Sequence, residues 1–181
     1  MERPPKYALI TRLMQELRDR GSWCGETHVQ KATYLLQELL CVPLGFRFTL
    51  YWHGPFSFDL RDEITAMRAD GLVEIEPVDP RYGPKLKPTE QAFKVQELFP
   101  KTTEKQMPKI TFVADRLGEL NVLGLEKTAT GFYVTNKLSR DEPPEARAAE
   151  LNRIKPHISL DAALTAINEV DQMILDAQAI V

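Results

Sequence analysis

Residues 51–57 of this 181-residue chain read Tyr51-Trp52-His53-Gly54-Pro55-Phe56-Ser57 and join a predicted strand to a predicted helix. Apolar residues occupy alternate positions from Phe46 to Trp52, the period-two pattern of a half-buried strand. We expect Gly54-Pro55 to end that strand. Ser57 is then placed to cap a helix from Phe58 to Asp70, whose apolar residues form one stripe.

A hairpin is predicted after that helix. Residues 72–76 alternate again, residues 79–84 are dense in turn formers, and residues 85–87 can return as a second strand before Thr89 caps another helix. Strand, helix, hairpin and helix in this order predict a degenerate winged-helix-like lobe in which the hairpin is the wing.

Helices account for most of the remaining chain. The apolar spacing predicts one helix over residues 7–20 and a second that is capped by Thr27. Further on, Pro108 suits the first turn of a helix, and Asn121 and Ser159 are placed to cap two more.

The predicted fold class is therefore α+β and mainly α. A winged-helix-like lobe covers residues 1–100, and an all-helical lobe over residues 101–181 packs on it to give one compact domain. Five apolar side chains of the first lobe are expected to share a core: Leu36, Leu50, Leu60, Ile64 and Met67.

Composition limits the classes of protein to which this chain can belong. Hydrophobic residues make up 43% of the chain and charged residues 27%, which is ordinary for a globular protein. No apolar run is long enough for a membrane span, the N-terminus lacks the apolar core of a signal peptide, and only two cysteines occur, so we expect a cytoplasmic protein without a membrane partner.

Candidate catalytic residues are few. His28 lies close in sequence to Cys24, and such a pair can form an activated nucleophile, but no third group is placed to orient it. The alternative is an exposed histidine at a helix start beside a free thiol, which we favour. Metal-binding spacings are missing from the sequence, so we expect no catalytic residue, no metal ion, no cofactor and no enzymatic activity.

The aromatic segment allows two interpretations. The ring of His53 either faces a ligand or partner, or hydrogen-bonds the local backbone of its turn, and the second is the simpler interpretation. The rings of Tyr51, Trp52 and Phe56 likewise suit core packing better than a base-stacking platform. Large amphipathic side chains in a turn are also typical interface anchors, so we predict a protein-binding surface that includes Trp52, His53, Phe56 and Arg61.

Nucleic-acid binding is the alternative function. The net charge is −3, and the exposed face of the helix after Ser57 carries more anions than cations, which repels phosphate. The wing offers Arg81, Lys85 and Lys87 as possible nucleic-acid contacts, although cations on a hairpin also keep an edge strand unpaired. A DNA-binding regulator would have to use these three residues.

Two segments resemble a bacterial protein family. Residues 29–37, Val29-Gln30-Lys31-Ala32-Thr33-Tyr34-Leu35-Leu36-Gln37, are similar to its Q-K-x-x-Y-L-L helix. His53-Gly54-Pro55-Phe56-Ser57 with Leu60 resembles its Y-G-P-[FVY]-S-x-x-L turn and helix, with His53 in place of the usual Tyr. Both motifs occur in the uncharacterised YwgA-like proteins, which are similar to the SocA-like, or Panacea-domain, antitoxin group.

The resemblance implies a small α-rich protein with a degenerate winged-helix element and no known catalytic residues. Members of the Panacea group neutralise toxins or act as adaptors that deliver a toxin to a protease. The sequence thus predicts a non-enzymatic protein-interaction module, an antitoxin or adaptor whose partner is a protein such as a toxin. The alternative is a winged-helix transcriptional regulator.

Overall fold

The computed structural model describes residues 1–78 and 83–180. Within these ranges the elements, in chain order, are α1 (Arg3–Asp19), α2 (Glu26–Glu38), β1 (Thr49–Tyr51), β2 (Gly54–Phe56), α3 (Phe58–Ala69), β3 (Val73–Glu76), β4 (Lys85–Pro88), α4 (Glu90–Leu98), α5 (Pro100–Leu117), α6 (Val122–Leu138), α7 (Pro144–Ile154) and α8 (Leu160–Ala177). None of the helices in the described ranges is long and apolar enough to cross a membrane.

The fold class is α+β and mainly α, as the sequence predicted. The strands form two separate antiparallel hairpins, β1 with β2 and β3 with β4. In the first, Leu50 lies opposite Pro55 and Tyr51 opposite Gly54, so Trp52 and His53 make a two-residue turn.

The main core takes side chains from both sides of residue 100, with α5 packed on α1 and α6 packed on α2. Of the five side chains expected in one core, Leu36, Leu60, Ile64 and Met67 are buried there. Leu50 is only half-buried and lies outside that core, because its strand belongs to a surface hairpin. A smaller apolar cluster joins α6, α7 and α8.

Three of the predicted helix caps are confirmed. The side chains of Ser57, Asn121 and Ser159 accept hydrogen bonds from the backbone N–H groups at the starts of α3, α6 and α8. Thr27 was predicted wrongly as a cap, since α2 begins at Glu26 and its N-cap is Gly25. Glycine is also tolerated at the N-cap position, and residue preferences alone do not distinguish Gly25 from Thr27 as the N-cap.

Two helices begin earlier than the sequence predicted. Proline occupies the first turn of α1, which starts at Arg3, and Pro100 opens α5 in the same way. Proline is favoured there because an N–H in the first turn has no intrahelical acceptor, so its absence from proline costs no hydrogen bond. Pro108 is therefore not in a first turn but inside α5. Buried residues after it, including Ile110, Val113 and Leu117, continue the apolar face of the helix.

The predicted strand from Phe46 to Trp52 was too long. The exposure alternates from Phe46 to Tyr51, but Trp52 is exposed and the ladder holds only Thr49–Tyr51. The side chain of Gln37 takes the place of a partner strand at Phe46, because its amide accepts from the Phe46 N–H and donates to the Phe46 carbonyl, both at 2.8 Å. Gly54 and Pro55 do not simply end the strand, since they form β2.

Candidate protein-binding surface

The helix α2 holds the segment after the first hairpin through Gln30. Its side-chain amide donates to the Ser57 carbonyl and accepts from the Ser57 N–H, each at 2.9 Å. Both residues are fully buried, so these two bonds satisfy main-chain groups that water cannot reach. Ser57 can then use its hydroxyl to cap α3.

Two buried lysines hold the hairpin itself. Lys31 is 2% exposed and donates to the Pro55 carbonyl at 2.9 Å. Lys155, which follows α7, donates to the carbonyls of Tyr51, at 3.1 Å, and of Trp52. Carbonyls of both strands and the turn are thereby fixed by charged donors, which make stronger hydrogen bonds than neutral ones.

Glu126 of α6 balances this buried positive charge. Its carboxylate Oε1 lies 2.8 Å from Lys155 Nζ, and its Oε2 accepts from His157 Nε2 at 3.1 Å. Burial would raise the pKa of the Glu126 carboxyl, but the bonds from Lys155 and His157 outweigh it and lower that pKa. We call Lys31, Lys155 and Glu126 the anchor cluster.

Gly54 and Pro55 of β2 suit its close packing on α6 and its hydrogen bond from Lys31. Gly54 has a φ of +90° and a Cβ there would meet the Thr130 hydroxyl at 2.6 Å, so α6 approaches the strand closely only because the residue is glycine. Pro55 has no N–H to leave unpaired, and its carbonyl is taken by Lys31.

The outer side of the hairpin carries an aromatic surface, formed by Tyr51, Trp52, Phe56 and Phe58. Tyr51 contacts the other three rings at centroid distances of 6.4 Å to Trp52, 5.5 Å to Phe56 and 5.6 Å to Phe58. Tyr51, Trp52 and Phe58 are exposed, and Trp52 reaches 76%. The aromatic residues of this segment are therefore not core, which corrects the simpler interpretation made from the sequence.

Charged side chains border the aromatic surface. The Arg61 guanidinium lies 5.1 Å from the Phe58 ring centroid, a cation–π contact. Arg47 is exposed and lies 3.4 Å from Asp59. A shallow groove of about 250 Å³ runs beside them, lined by Arg47, Phe48, Thr49, Phe58 and Asp59.

The structure brings together most of the residues predicted to bind a partner. Trp52, Phe56 and Arg61 lie on or beside the aromatic surface, the last through Phe58. His53 is exposed in the turn and points its Nδ1 toward Glu126 Oε2 at 3.9 Å. Among the described residues its ring makes no hydrogen bond to the local backbone, contrary to the simpler interpretation.

The lysines predicted as possible nucleic-acid contacts lie on β4 and are placed differently. Lys87 pairs with Glu74 across β3 and β4 at 2.9 Å, and the Lys85 ammonium lies 4.2 Å from the Trp23 ring centroid. Both lysines thus already have intramolecular partners. Arg81 lies outside the described residues.

Cys24 and His28 do not form a catalytic pair. Cys24 is buried, its thiol donates to the Met14 carbonyl at 3.6 Å, and burial raises its pKa to about 12, so the thiolate is disfavoured. His28 is buried rather than exposed, since only 4% of it is accessible, and it bonds to Leu120 instead. The second cysteine, Cys41, is a free, exposed thiol.

Sequence reasoning missed the anchor cluster. Lys31 was recognised only as part of a motif, and Lys155 lies about a hundred residues from the carbonyls it binds. A scan against models of known protein families matches none of them, and a search of curated proteins finds no match to this chain. The resemblance to YwgA-like proteins stays a prediction.

Proposed function

We propose that this protein is a non-enzymatic interaction module that binds another protein through the aromatic surface, as an antitoxin or adaptor does. The observation that carries the proposal is the exposure of Trp52, which is 76% accessible at the tip of a hairpin. Tryptophan and arginine are the side chains most enriched at the energetic centres of protein interfaces. Here Trp52 shares the surface with Arg61.

The hydrogen bonds that hold the first hairpin favour binding at the aromatic surface. Lys31 and Lys155 fix carbonyls of the hairpin, so its backbone does not have to be ordered when a partner arrives. A site that is already ordered loses less conformational entropy on association. Free thiols such as exposed Cys41 suit a reducing compartment, and we propose the cytoplasm as the place of binding.

The test is a quantitative comparison of tagged variants. The partner is first identified by co-purification from the native host and mass spectrometry, then purified. Its affinity is measured for the parent protein, for Trp52→Ala, and for Leu98→Ala as a matched control, since Leu98 is 73% exposed on α4.

We expect Trp52→Ala to weaken binding by more than about 1 kcal/mol and Leu98→Ala to leave it unchanged. Arg61→Glu should weaken binding similarly, because it reverses the charge beside Phe58. Equal affinity of all variants, each folded by circular dichroism, would reject the aromatic surface as the binding site.

A further inference from the structure

A second feature of the molecule is a cavity of about 590 Å³ between the start of α2, the start of α6 and the segment before β4. It lies apart from the aromatic surface and shares no residue with it. Trp23, Leu120 and Val122 line it together with His28, Glu26 and Glu119. Its volume falls within the range of about 300–1,000 Å³ that is usual for small-molecule sites.

His28 supplies a fixed hydrogen-bond acceptor in this cavity. Its Nε2 lies 2.9 Å from the Leu120 carbonyl oxygen. Because a carbonyl can only accept, Nε2 carries the proton and the other ring nitrogen, Nδ1, has a free lone pair. Nδ1 has no hydrogen-bond partner among the residues that the structure describes. Burial lowers the pKa of His28 more than the Leu120 bond raises it, which keeps the ring neutral.

Both charged side chains among the described lining residues are acidic. Glu26 and Glu119 are both exposed at the mouth of the cavity, and no lysine or arginine lines it within the described part of the chain. Trp23 adds an aromatic ring to the lining, and the Lys85 ammonium already lies 4.2 Å from its ring centroid. The His28 acceptor and the two carboxylates together favour a ligand that donates hydrogen bonds and carries positive charge.

We infer that this cavity binds a small primary amine with an aromatic or other apolar body. The body packs against Leu120 and Val122. The ammonium group donates to His28 Nδ1 and is attracted by Glu26 and Glu119. The inference is independent of the proposed protein-binding function.

The first experiment compares ligands of opposite charge and similar shape. The probes are 2-phenylethylamine and 3-phenylpropionate, and binding to the full chain is followed by isothermal titration calorimetry at low ionic strength, where exposed carboxylates are least screened. We expect the amine to bind at least about tenfold more tightly than the acid. An acid that binds as tightly as the amine, or an amine with a Kd weaker than about 10 mM, would overturn the inference.

The second experiment locates the site with matched variants. Val122 lines the cavity and is 47% exposed, whereas its neighbour Leu123 is 48% exposed and does not line it. Val122→Trp should abolish binding of the amine, and Leu123→Trp should preserve it. Binding that survives Val122→Trp, or is lost equally in both variants, would place the amine elsewhere.

The third experiment tests the charge. The double variant Glu26→Gln/Glu119→Gln should weaken amine binding by about fivefold or more, since two favourable charges are removed. Glu90→Gln is the control, because Glu90 is likewise an exposed glutamate at the first position of a helix but lies outside the cavity. An unchanged affinity in the double variant would reject the recognition of an ammonium group.

Discussion

Lys31 and Lys155 are buried ammonium groups whose acceptors are main-chain carbonyls of one hairpin. Burying a charge is costly unless it is paired and hydrogen-bonded. Lys155 meets this condition with two carbonyls and Glu126, while Lys31 has one carbonyl. The two residues therefore differ in how fully their charge is compensated.

The pKa of Lys31 gives a prediction about pH. Burial lowers this pKa from its ordinary value of 10.5 to about 8. Between these values the unfolded chain binds more protons at Lys31 than the folded one does, so the free energy of unfolding rises with pH. Below about pH 8 both states are protonated and the penalty for the buried charge is fully present.

The measurement compares urea unfolding of the parent protein and Lys31→Met from pH 7 to about 10. The parent protein should gain stability relative to Lys31→Met as the pH rises above about 8. Lys87→Met is the control: Lys87 is exposed and Glu74 raises its pKa, so its curve should run parallel to that of the parent. Parallel curves for Lys31→Met as well would show that Lys31 is not a perturbed base.

Ile64 tests the packing of α3 on the core. Its side chain is 5% exposed, and Ile64→Ala should lower the free energy of unfolding by about 2–5 kcal/mol through lost burial and a residual cavity. Thr65→Ala is the neighbouring control on the exposed face, where changes are usually within about 0.5 kcal/mol. A change that small for Ile64→Ala in urea melts would place Ile64 outside the core.

At the scale of elements, α2 and the first hairpin are one unit. The Gln30 amide closes two hydrogen bonds with Ser57, Lys31 reaches Pro55, and Ser57 starts α3. The position of the aromatic rings therefore depends on α2, although α2 contributes none of them.

Gln30→Leu should disrupt this unit. It leaves the buried N–H of Ser57 without a partner, at a cost of about 1–3 kcal/mol, while the Ser57 carbonyl keeps its hydrogen bond from the Arg61 N–H. We expect a matching loss in the free energy of unfolding and faster amide hydrogen exchange at the start of α3. Gln91→Leu, on the exposed side of α4, should change neither quantity. Equal behaviour of the two variants would mean that Gln30 does not hold Ser57.

Patterns of neighbouring residues predicted most helices and strands. They did not predict contacts between residues that are far apart in the sequence. Ser57, Asn121 and Ser159 were recognised as caps because capping depends on the next three residues. The length of the strand predicted from Phe46 was overestimated because Gln37 supplies hydrogen bonds that a partner strand would otherwise make. No local sequence pattern indicates this contact. The contact of Lys155 with the Tyr51 and Trp52 carbonyls is equally invisible in spacing.

At the scale of the whole molecule, charge bears on the choice between partners. The net charge of −3 is small, and Lys85 and Lys87 both have partners within the chain. We therefore expect weak, nonspecific binding to duplex DNA, with a Kd no tighter than about 10⁻⁶ M in fluorescence anisotropy at physiological salt.

A specific site bound near 10⁻⁸ M would instead favour the DNA-binding regulator. In that event neutralising Arg81, Lys85 or Lys87 should each reduce the salt dependence of binding. A variant with an unchanged salt slope would show that the residue does not contact phosphate.

Site-specific photo-crosslinking in the native host tests whether a partner covers the aromatic surface. A p-benzoylphenylalanine is introduced at Trp52 in one protein and at Leu98 in another, two positions of similar exposure on different surfaces. Because the crosslinker reacts only with atoms in contact, its products report which surface a partner covers. We predict that one protein is crosslinked from position 52 and not from position 98. Crosslinks from position 98 alone would contradict the assignment of the aromatic surface as the binding site.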